Sequence, residues 1–457
     1  MLAKEIKHKL TRLLGRDGFF HQPEHLAAYA YDATSLSCQP DGVCLPQNEA
    51  QVAAIMALAR EHRIFLTPRG AGVGYSGGSL ACQGGLVLAM TRMNRILHVD
   101  KENFLARVEP GVITADLQET AARSGLFYPP DPASLKTSTI GGNVAENAGG
   151  PRCFKYGVTG DYVLALKALL MNGESISCGS ESIKDVAGYN LKSLLVGSEG
   201  TLAVITGITL RLRPLPARRM MFRLDFMDMD SCCSFFQNLV QCGADPAVIE
   251  FMDRSSLLAA GDYSGQQIPA ATGAVLLLEI DGDEEEVRLK KSRLLELCSR
   301  HSLLGLESAE NKADQEKLWE IRRCLSPAVA RLNKKKINQD IVVPPGRIPQ
   351  AIEFIKGLAA EKNLQVVLFG HLGDGNIHTN IMIDDLDEGQ AAQAADMVEK
   401  LFSRVVELGG SISGEHGIGL SKKPYMKLQF SVAEMDLFRK IKQVFDPQGL
   451  LNPGKIF

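Results

Sequence analysis

The 457-residue sequence lacks the marks of a membrane protein and of a nucleic-acid-binding protein. No apolar run reaches the roughly 18 residues that a membrane-spanning helix needs, and the first residues are too charged for a secretory leader. The formal net charge of −3 gives no reason to expect nucleic acid or an anionic membrane as a partner. We therefore expect a cytoplasmic globular protein, which at this length should form two or three domains.

The ten cysteines lack any recognisable spacing. No two of them form CxxC, and none of their separations matches an iron–sulfur or zinc-finger site. The sequence therefore predicts reduced thiols and no electron-relay cluster within this chain.

The glycines of this chain are clustered. Five of its 43 glycines fall within Gly70–Gly78, after a predicted strand at Ile64–Pro68. The stretch formally matches GxGxxG, but neither the helix nor the later acidic residue of a Rossmann site follows convincingly. Successive glycines instead allow backbone N–H groups to face one concavity and bind phosphate. A solvated turn is the other alternative, and Arg69 either adds charge or anchors the loop.

A second glycine-rich loop spans Pro129–Gly150. Its small residues allow a flat ligand to approach closely, and its asparagines offer hydrogen-bond donors and acceptors. Two such loops predict a large dinucleotide that is contacted mainly by backbone.

A histidine-rich segment in the second half suits a divalent metal. Two predicted strands joined at Gly373-Asp-Gly375 would bring His371 and His378 face to face, and Glu415 in a glycine-flanked turn would complete a Zn²⁺, Mn²⁺ or Fe²⁺ site. Three protein ligands leave an open coordination position, as in catalytic sites. Two surface histidines and an ordinary acidic turn are the alternative.

Residues next to the predicted metal ligands in the sequence are candidates for other roles. His416 follows Glu415 and is the candidate general base, because imidazole titrates near neutral pH. Its alternative role is that of a fourth metal ligand. Asp374, within the predicted turn, is expected to cap backbone N–H groups rather than to act as a base.

Several motifs together resemble one flavoprotein family. Pro68–Gly78, Tyr128–Pro132, Thr139–Asn143 and Gly197–Thr201 are similar to the FAD domain of the vanillyl-alcohol oxidase/p-cresol methylhydroxylase flavoproteins. The histidine-rich segment and Leu451–Lys455 narrow the resemblance to one branch. That branch contains the glycolate oxidase FAD subunit, D-lactate dehydrogenase and D-2-hydroxyglutarate dehydrogenase.

The element pattern favours an α+β fold. The resemblance implies a two-subdomain FAD-binding domain of PCMH type, an antiparallel-sheet substrate cap domain and a tail that returns to the FAD domain. The expected limits are an N-terminal helical segment at 1–36, the FAD-binding domain at 37–216, the substrate and metal cap at 217–430 and the returning segment at 431–457.

The resemblance also implies noncovalent FAD, since no histidine lies between His62 and His98, where some relatives tether their flavin. The residues that it assigns to FAD are Arg69, Gly70, Ala71, Gly72, Val73, Gly74, Tyr75, Ser76, Pro132, Gly141, Gly142, Asn143, Ala145, Gly149, Glu199, Gly200, Ile205 and Asn452.

The activity implied is metal-assisted oxidation of a D-2-hydroxy acid to the 2-oxo acid. Arg322 and Ser326 match an arginine and a hydroxyl residue of the 2-hydroxyglutarate enzymes, and a guanidinium binds a carboxylate bidentately. Asn380 matches a substrate-contacting asparagine. Those enzymes carry a lysine where this chain has Asn338, which favours D-lactate or glycolate over the diacid. The charge run Lys334–Lys336 is expected to be solvated.

Electrons must leave the reduced flavin, so an external acceptor is implied. The candidates are an iron–sulfur subunit, electron-transferring flavoprotein, a quinone or a cytochrome, in a homodimer or hetero-oligomer that is at most peripheral to the inner membrane. Alternatives are an oxidase that uses O₂, a non-catalytic flavin-binding subunit of an oxidase complex, and a sugar-nucleotide or aryl-alcohol flavoenzyme without the metal residues.

Overall fold

The computed structural model of this chain describes residues 2–384 and 386–457. They form two compact units. Unit 1 holds the residues up to Gly149, Val158–Leu215 and Glu415–Phe457, and unit 2 holds Gly150–Gly157 and Pro216–Gly414. Within the described residues, no helix has both the length and the apolar character required to cross a membrane.

The described helices and strands alternate through most of the chain. The helices are α1 (Lys4–Leu14), α2 (Pro23–Ala27), α3 (Glu49–Glu61), α4 (Thr114–Arg123), α5 (Ile140–Glu146), α6 (Cys153–Tyr156), α7 (Leu191–Leu195), α8 (Met229–Leu239), α9 (Arg254–Ser264), α10 (Glu284–Ser299), α11 (Lys312–Arg323), α12 (Leu325–Val329), α13 (Ile348–Glu361), α14 (Glu388–Glu407), α15 (Met426–Gln429) and α16 (Val432–Phe445). The strands are β1 (Phe19–Phe20), β2 (Gly42–Cys44), β3 (Leu66–Arg69), β4 (Leu86–Ala89), β5 (Ile96–Asp100), β6 (Leu105–Val108), β7 (Leu126–Phe127), β8 (Val163–Leu169), β9 (Ser175–Gly179), β10 (Val204–Arg211), β11 (Arg213–Pro214), β12 (Arg218–Phe226), β13 (Val248–Asp253), β14 (Ala274–Gly282), β15 (Gly305–Ala309), β16 (Lys335–Val342), β17 (Gln365–His371) and β18 (Asn376–Ile383).

Unit 1 contains two main sheets and a short strand pair. One sheet has the order β1-β2-β4-β3, with β4 parallel to both β2 and β3. The other is antiparallel with the order β5-β6-β10-β8-β9. Burial alternates residue by residue along β10, because successive side chains of a strand point to opposite faces. Leu451 forms a bridge to Leu66 of β3, so the tail returns to this unit as expected.

Unit 2 is built on a seven-stranded antiparallel sheet with the order β15-β12-β14-β13-β17-β18-β16. Helices α9, α11 and α12 bury Leu257, Ile321 and Leu325 in one core cluster with residues of this sheet. The predicted Gly373-Asp-Gly375 turn joins β17 to β18. Gly375 has φ +88°, a conformation that side-chain-bearing residues rarely adopt. The α+β fold is confirmed.

One local prediction differs from the structure. The second glycine-rich loop contains helix α5, whose N-terminus is capped by Thr139: its Oγ1 accepts a hydrogen bond from Gly142 N at 3.2 Å. A sequence that is rich in glycine hides such a helix, because glycine weakens helix propensity.

The prediction that all cysteines are thiols is wrong for one pair. Cys38 and Cys82 form a disulfide, with their Cα atoms 4.8 Å apart. Their separation of 44 residues carries no motif, so only the folded chain reveals the pairing. Within the described residues, the other eight cysteines form no disulfide.

Candidate active site

Both glycine loops of unit 1 border one cleft, which we call the glycine cleft. Its volume, including the open mouth, is about 1290 Å³. Arg69–Ser76 form one wall, and residues of helix α5 with Ala148 and Gly149 form part of another. The loops that sequence reasoning paired therefore meet in the fold.

The two walls approach each other where a side chain would not fit. A Cβ on Gly70 would overlap Oγ1 of Thr139, and a Cβ on Gly141 would overlap Pro110. Gly74 differs, since a Cβ there would meet nothing within 4 Å. The glycines thus serve two purposes: some allow the walls to close, and Gly74 leaves space within the cleft.

Arg69 holds the first loop in place. Its Nη2 donates to the backbone oxygen of Tyr31 at 2.8 Å, and its Nη1 donates to Oγ of Ser79 at 3.2 Å. The residue is 5% exposed. Of the two roles left open by the sequence, these contacts are those of an anchor.

All but one of the residues that the resemblance assigns to FAD line the glycine cleft. The one outside the lining is Asn452, whose Nδ2 donates to the backbone oxygens of Gly78 at 2.9 Å and Glu199 at 2.7 Å. Asn452 thus contacts two residues that line the cleft. The contact of each residue with FAD stays a prediction.

Two carboxylates that sequence reasoning did not pair also border the glycine cleft. Glu199 accepts hydrogen bonds from the backbone N–H groups of Ile418 and Gly419, each at 2.7 Å. Burial raises the pKa of Glu199 to about 7 despite these bonds. Burial, and then the charge of Glu199, raise the pKa of Glu146 well above its usual range. Both carboxyls therefore favour the protonated form more than an exposed glutamate does.

His416 lies in the same cleft as the glycine loops. Its ring stacks on that of Tyr75, with centroids 4.9 Å apart and planes 24° apart. Its Nε2 lies 3.7 Å from Oε1 of Glu415, which also lines the cleft. The candidate base thus faces the space that the loops enclose, with its ring held against one of them.

In unit 2, charged and polar side chains gather on four strands of the sheet and on helix α11. We call Glu250, Arg322, Asp340, His371 and His378 the polar row. The rings of His371 and His378 have centroids 5.2 Å apart and planes at 86°. They meet edge to face, so the expectation that they would lie face to face is wrong. Both are buried, as is Asp340, and His378 Nδ1 lies 3.9 Å from Oδ1 of Asp340.

Glu250 connects the predicted metal and substrate residues. Strand β13 places it opposite His371 of β17, and its Oε1 bonds to His371 Nδ1. Its Oε2 accepts from Arg322 Nε at 2.5 Å. Burial alone would raise the pKa of Glu250, but His371 and Arg322 lower it below its usual value. The carboxylate is therefore held ionised between two partners.

Sequence reasoning missed Glu250 altogether. It lies within Val248-Ile-Glu-Phe-Met252, where it reads as an isolated charge in an apolar strand, and His371 is 121 residues away. The available signal was the charge itself, because a carboxylate inside a buried strand requires a partner.

The remaining predicted residues occupy different environments. Asn380 is fully buried and bonded to protein: its Oδ1 accepts from Asn338 Nδ2 at 2.8 Å, and its Nδ2 donates to the backbone oxygen of Val367 at 3.2 Å. Ser326 is exposed on α12. Asp374 Oδ1 accepts from the backbone N–H of Asn376 at 3.2 Å, a capping contact of the kind expected.

The residues present fit both groups that the sequence implies. The glycine cleft provides backbone concavity and open space at Gly74, as a dinucleotide requires. In the polar row, a carboxylate bonds the Nδ1 of His371, the arrangement that orients metal-binding imidazoles.

Two protein-family models match the chain. Residues 40–179 match the FAD binding domain, and residues 215–456 match the C-terminal domain of FAD linked oxidases. The glycolate oxidase subunit GlcD of Bacillus subtilis (strain 168) is 38% identical over 458 residues, covering 100% of this chain and 97% of the relative.

Two further relatives carry other names. D-lactate dehydrogenase of Anaerostipes hadrus is 35% identical, covering 92% of this chain and 90% of the relative. D-2-hydroxyglutarate dehydrogenase of Stutzerimonas stutzeri (strain A1501) is 33% identical, covering 95% of each. Among solved structures, p-cresol methylhydroxylase with substrate bound superposes with a TM-score of 0.81 at 14% identity, over 99% of this chain and 96% of that one, which shows a common fold. The chain is a member of the FAD-linked oxidases, an oxidoreductase with FAD-binding and FAD-oxidase C-terminal domains.

Proposed function

We propose that this protein is an FAD-dependent, metal-assisted dehydrogenase that oxidises a D-2-hydroxy acid to the 2-oxo acid. One observation carries the proposal: His416, the candidate base, lines the glycine cleft and stacks on Tyr75 of its first loop. Further support comes from the relatives, which are named for glycolate, D-lactate and D-2-hydroxyglutarate.

FAD would be held noncovalently by the backbone of the glycine cleft. When bound, it supplies a two-electron acceptor. The loops of this chain would orient it, and the acidic pair of Glu146 and Glu199 would keep a proton within the same cleft. The raised pKa values of this pair reduce the negative charge that it places in the cleft, which suits a site that accepts a diphosphate.

A divalent metal would be held by His371, His378 and Glu415. It supplies a Lewis acid that lowers the pKa of a bound hydroxyl. Glu250 would fix the ring of His371 through Nδ1, leaving Nε2 as the ligand atom. The donor set of two imidazoles and one carboxylate is that of catalytic zinc sites, and it suits Mn²⁺ or Fe²⁺ as well.

Side chains of this protein would bind the substrate and accept its proton. Arg322 would bind the substrate carboxylate, with Ser326 beside it, and Asn380 would be a further contact to the substrate, as the resemblance implies. His416 accepts the hydroxyl proton at an imidazole nitrogen as the α-hydrogen leaves with its electron pair. An external acceptor takes the electrons, in the form of an iron–sulfur subunit, electron-transferring flavoprotein, a quinone or a cytochrome.

The length of the substrate is addressed by Asn338. Because Asn338 stands where the 2-hydroxyglutarate enzymes carry a lysine, it favours D-lactate and glycolate. D-2-hydroxyglutarate is the second candidate substrate, since a dehydrogenase named for it is among the relatives.

A substrate panel with an artificial dye acceptor under anaerobic conditions tests the proposal. D-lactate, L-lactate, glycolate and D-2-hydroxyglutarate are compared on the purified flavoprotein. We expect bleaching of bound flavin by D acids and not by L-lactate. Slow reoxidation in air would favour the dehydrogenase over an oxidase that uses O₂.

Other outcomes would reject the proposal. A colourless protein with no FAD after reconstitution would favour a non-catalytic subunit. Flavin that is bound but reduced by no 2-hydroxy acid would remove the substrate class while leaving the family membership intact.

A further inference from the structure

A segment of unit 1 that the proposed function does not use lies against the first glycine loop. We call residues 30–38 the clamp loop. Its two ends are joined by a hydrogen bond from Cys38 N to the backbone oxygen of Ala30 at 2.7 Å. In the described structure, only Asp32 of this loop is buried beyond Ala30. The clamp loop therefore has little apolar burial to hold it closed.

The clamp loop fixes the first glycine loop through three hydrogen bonds. One is the contact of Arg69 described above, whose acceptor is a backbone oxygen of the clamp loop. Ala33 N donates to the backbone oxygen of Gly74 at 3.0 Å, and Asp32 Oδ2 accepts from the backbone N–H of Gly77 at 3.0 Å. Asp32, Arg69 and Gly74 all line the glycine cleft. The position of the clamp loop therefore helps to set the shape of one wall of the cleft.

The disulfide between Cys38 and Cys82 ties the clamp loop to a fixed part of the fold. Cys82 follows Leu80 and Ala81, which are 0% and 2% exposed. Lys455 Nζ also donates to the backbone oxygen of Leu80. At its other end, the disulfide joins the last residue of the clamp loop. It is therefore the covalent link that keeps a weakly buried loop against the wall of the cleft.

One half of this disulfide is open to solvent. Cys82 is exposed and Cys38 is partly buried. Each free cysteine in the described part of the chain is buried or partly buried. A thiolate attacks a disulfide at a sulfur that it can reach, so Cys82 is the residue at which a reductant would enter.

We propose that the Cys38–Cys82 disulfide is a thiol–disulfide exchange site through which a dithiol reductant weakens the binding of FAD. One thiolate of the dithiol attacks Sγ of Cys82, the bond between the two cysteines breaks, and Cys38 leaves as a thiolate that takes up a proton. The second thiol of the reductant then attacks the reductant's own sulfur in the mixed disulfide, and Cys82 leaves and is protonated. Two electrons and two protons pass from the dithiol to the protein, and the dithiol becomes a disulfide.

Reduction changes the cleft because the clamp loop loses its covalent link. The contacts that remain are hydrogen bonds, each of which contributes modestly to stability. The loop then opens more often, so Arg69 loses an acceptor, and Gly74 and Gly77 lose their partners in this loop. The backbone that would hold the diphosphate is less ordered before FAD binds, which weakens binding. The inference concerns FAD alone and does not depend on which substrate is oxidised.

Flavin titration of the two redox forms tests the inference without turnover. Apoprotein is reduced with dithiothreitol, desalted in the absence of air and titrated with FAD beside untreated apoprotein, and accessible thiols are counted on both samples. We expect two additional thiols after reduction and an affinity for FAD that is about tenfold to a hundredfold weaker. Reoxidation of the pair should restore the original affinity.

Thermodynamic linkage supplies a second measurement, on the FAD-loaded protein. If reduction weakens FAD binding by a given factor, saturating FAD must make the disulfide harder to reduce by the same factor. The disulfide is titrated with mixtures of dithiothreitol and its cyclic disulfide, with and without FAD, while absorbance shows that the flavin stays oxidised. We expect FAD to raise the ratio needed for half-reduction by the factor found in the first experiment, and equal midpoints would contradict the inference.

Variants separate the disulfide from the other cysteines. The double variant Cys38→Ser/Cys82→Ser should bind FAD as weakly as reduced wild type and should not respond to dithiothreitol. Cys242→Ser, which removes a partly buried free thiol, is the matched control and should respond as wild type does.

Four outcomes would overturn the inference. They are equal FAD affinity of the oxidised and reduced proteins, a disulfide that resists dithiothreitol in the folded apoprotein, and a response to dithiothreitol that persists in the double variant. The fourth is loss of the circular dichroism signal on reduction, because the weakening would then come from global unfolding and not from the clamp loop.

Discussion

The glycine cleft of unit 1 and the polar row of unit 2 are built by opposite means. The cleft is shaped by backbone, and several of its walls meet where only glycine fits. The row is built from charged side chains that satisfy one another, with Glu250 between His371 and Arg322. The glycine loops of the cleft should therefore be most sensitive to added volume, whereas the row should be most sensitive to changed charge.

The largest effect is expected from removal of one imidazole of the polar row. His371→Ala should lower turnover of the best D-2-hydroxy acid by about a thousandfold, because the loss of metal withdraws several kcal/mol of stabilisation from the developing alkoxide. Flavin should stay bound, since the glycine cleft is made of unit 1 residues. Turnover, metal content and flavin absorbance are measured on the same preparation.

His98→Ala is the control for this change, because His98 is exposed on β5. It should leave metal content, flavin and turnover unaltered. Full activity in a metal-free His371→Ala protein would show that the row works without a Lewis acid.

A smaller effect is expected from added volume in the glycine cleft. Gly70→Ala places a methyl group against Thr139 Oγ1, and separating the walls should weaken FAD binding by about a hundredfold, the scale of a 1–3 kcal/mol overpacking cost. Adding Thr139→Ala removes the overlapping oxygen and should restore most of the affinity. The helix cap that is lost should cost about 1 kcal/mol of stability. FAD affinity is read from flavin fluorescence on titration of the apoprotein.

The double variant decides how the effect of Gly70→Ala is interpreted. Gly70→Ala that binds FAD normally would show that the walls shift freely. A double variant that binds no better than Gly70→Ala would place the damage elsewhere in the loop.

The smallest effect concerns the carboxyl pair of Glu146 and Glu199 in the glycine cleft. Glu146 and Glu199 bind a proton more tightly in the folded than in the unfolded chain, so stability is lost as pH rises from about 4.5 to about 7. Glu146→Gln should make the fall in unfolding free energy over this range shallower, by at most about 1.4 kcal/mol per pH unit. Melting temperatures between pH 4.5 and 8 measure it.

Glu102→Gln, which alters an exposed carboxylate, is the matched control and should leave the pH profile unchanged. A Glu146→Gln profile that superposes on wild type would mean that Glu146 is as ionised in the fold as in water.

The sequence predicted best where a pattern is local. The turn at Gly373-Asp-Gly375 follows from residue types alone, and so do the two glycine loops that border the cleft. Helix α5 was hidden, since Ile140-Gly-Gly-Asn143 reads as loop until Thr139 caps it. Propensity is a weak guide where tertiary packing decides the backbone.

The sequence did not predict contacts between residues that are far apart along the chain. No sequence motif around Cys38 or Cys82 predicts their disulfide, and none near Glu250 predicts its contact with His371. Lys336, which is partly buried in the fold, was grouped with its neighbours as a solvated charge, because a run of like residues does not reveal which face each one takes. Strand register separates them, and register is a property of the folded sheet.

The return of the chain to β3 has a consequence for biosynthesis. Leu451 bridges to Leu66, Asn452 holds the backbone oxygen of Gly78, and Lys455 Nζ donates to that of Leu80 at 2.5 Å. On a ribosome these loops emerge nearly four hundred residues before the segment that braces them. Flavin loading should therefore follow synthesis of the segment around Leu451, and apoprotein that has lost this late segment to a protease should refill poorly.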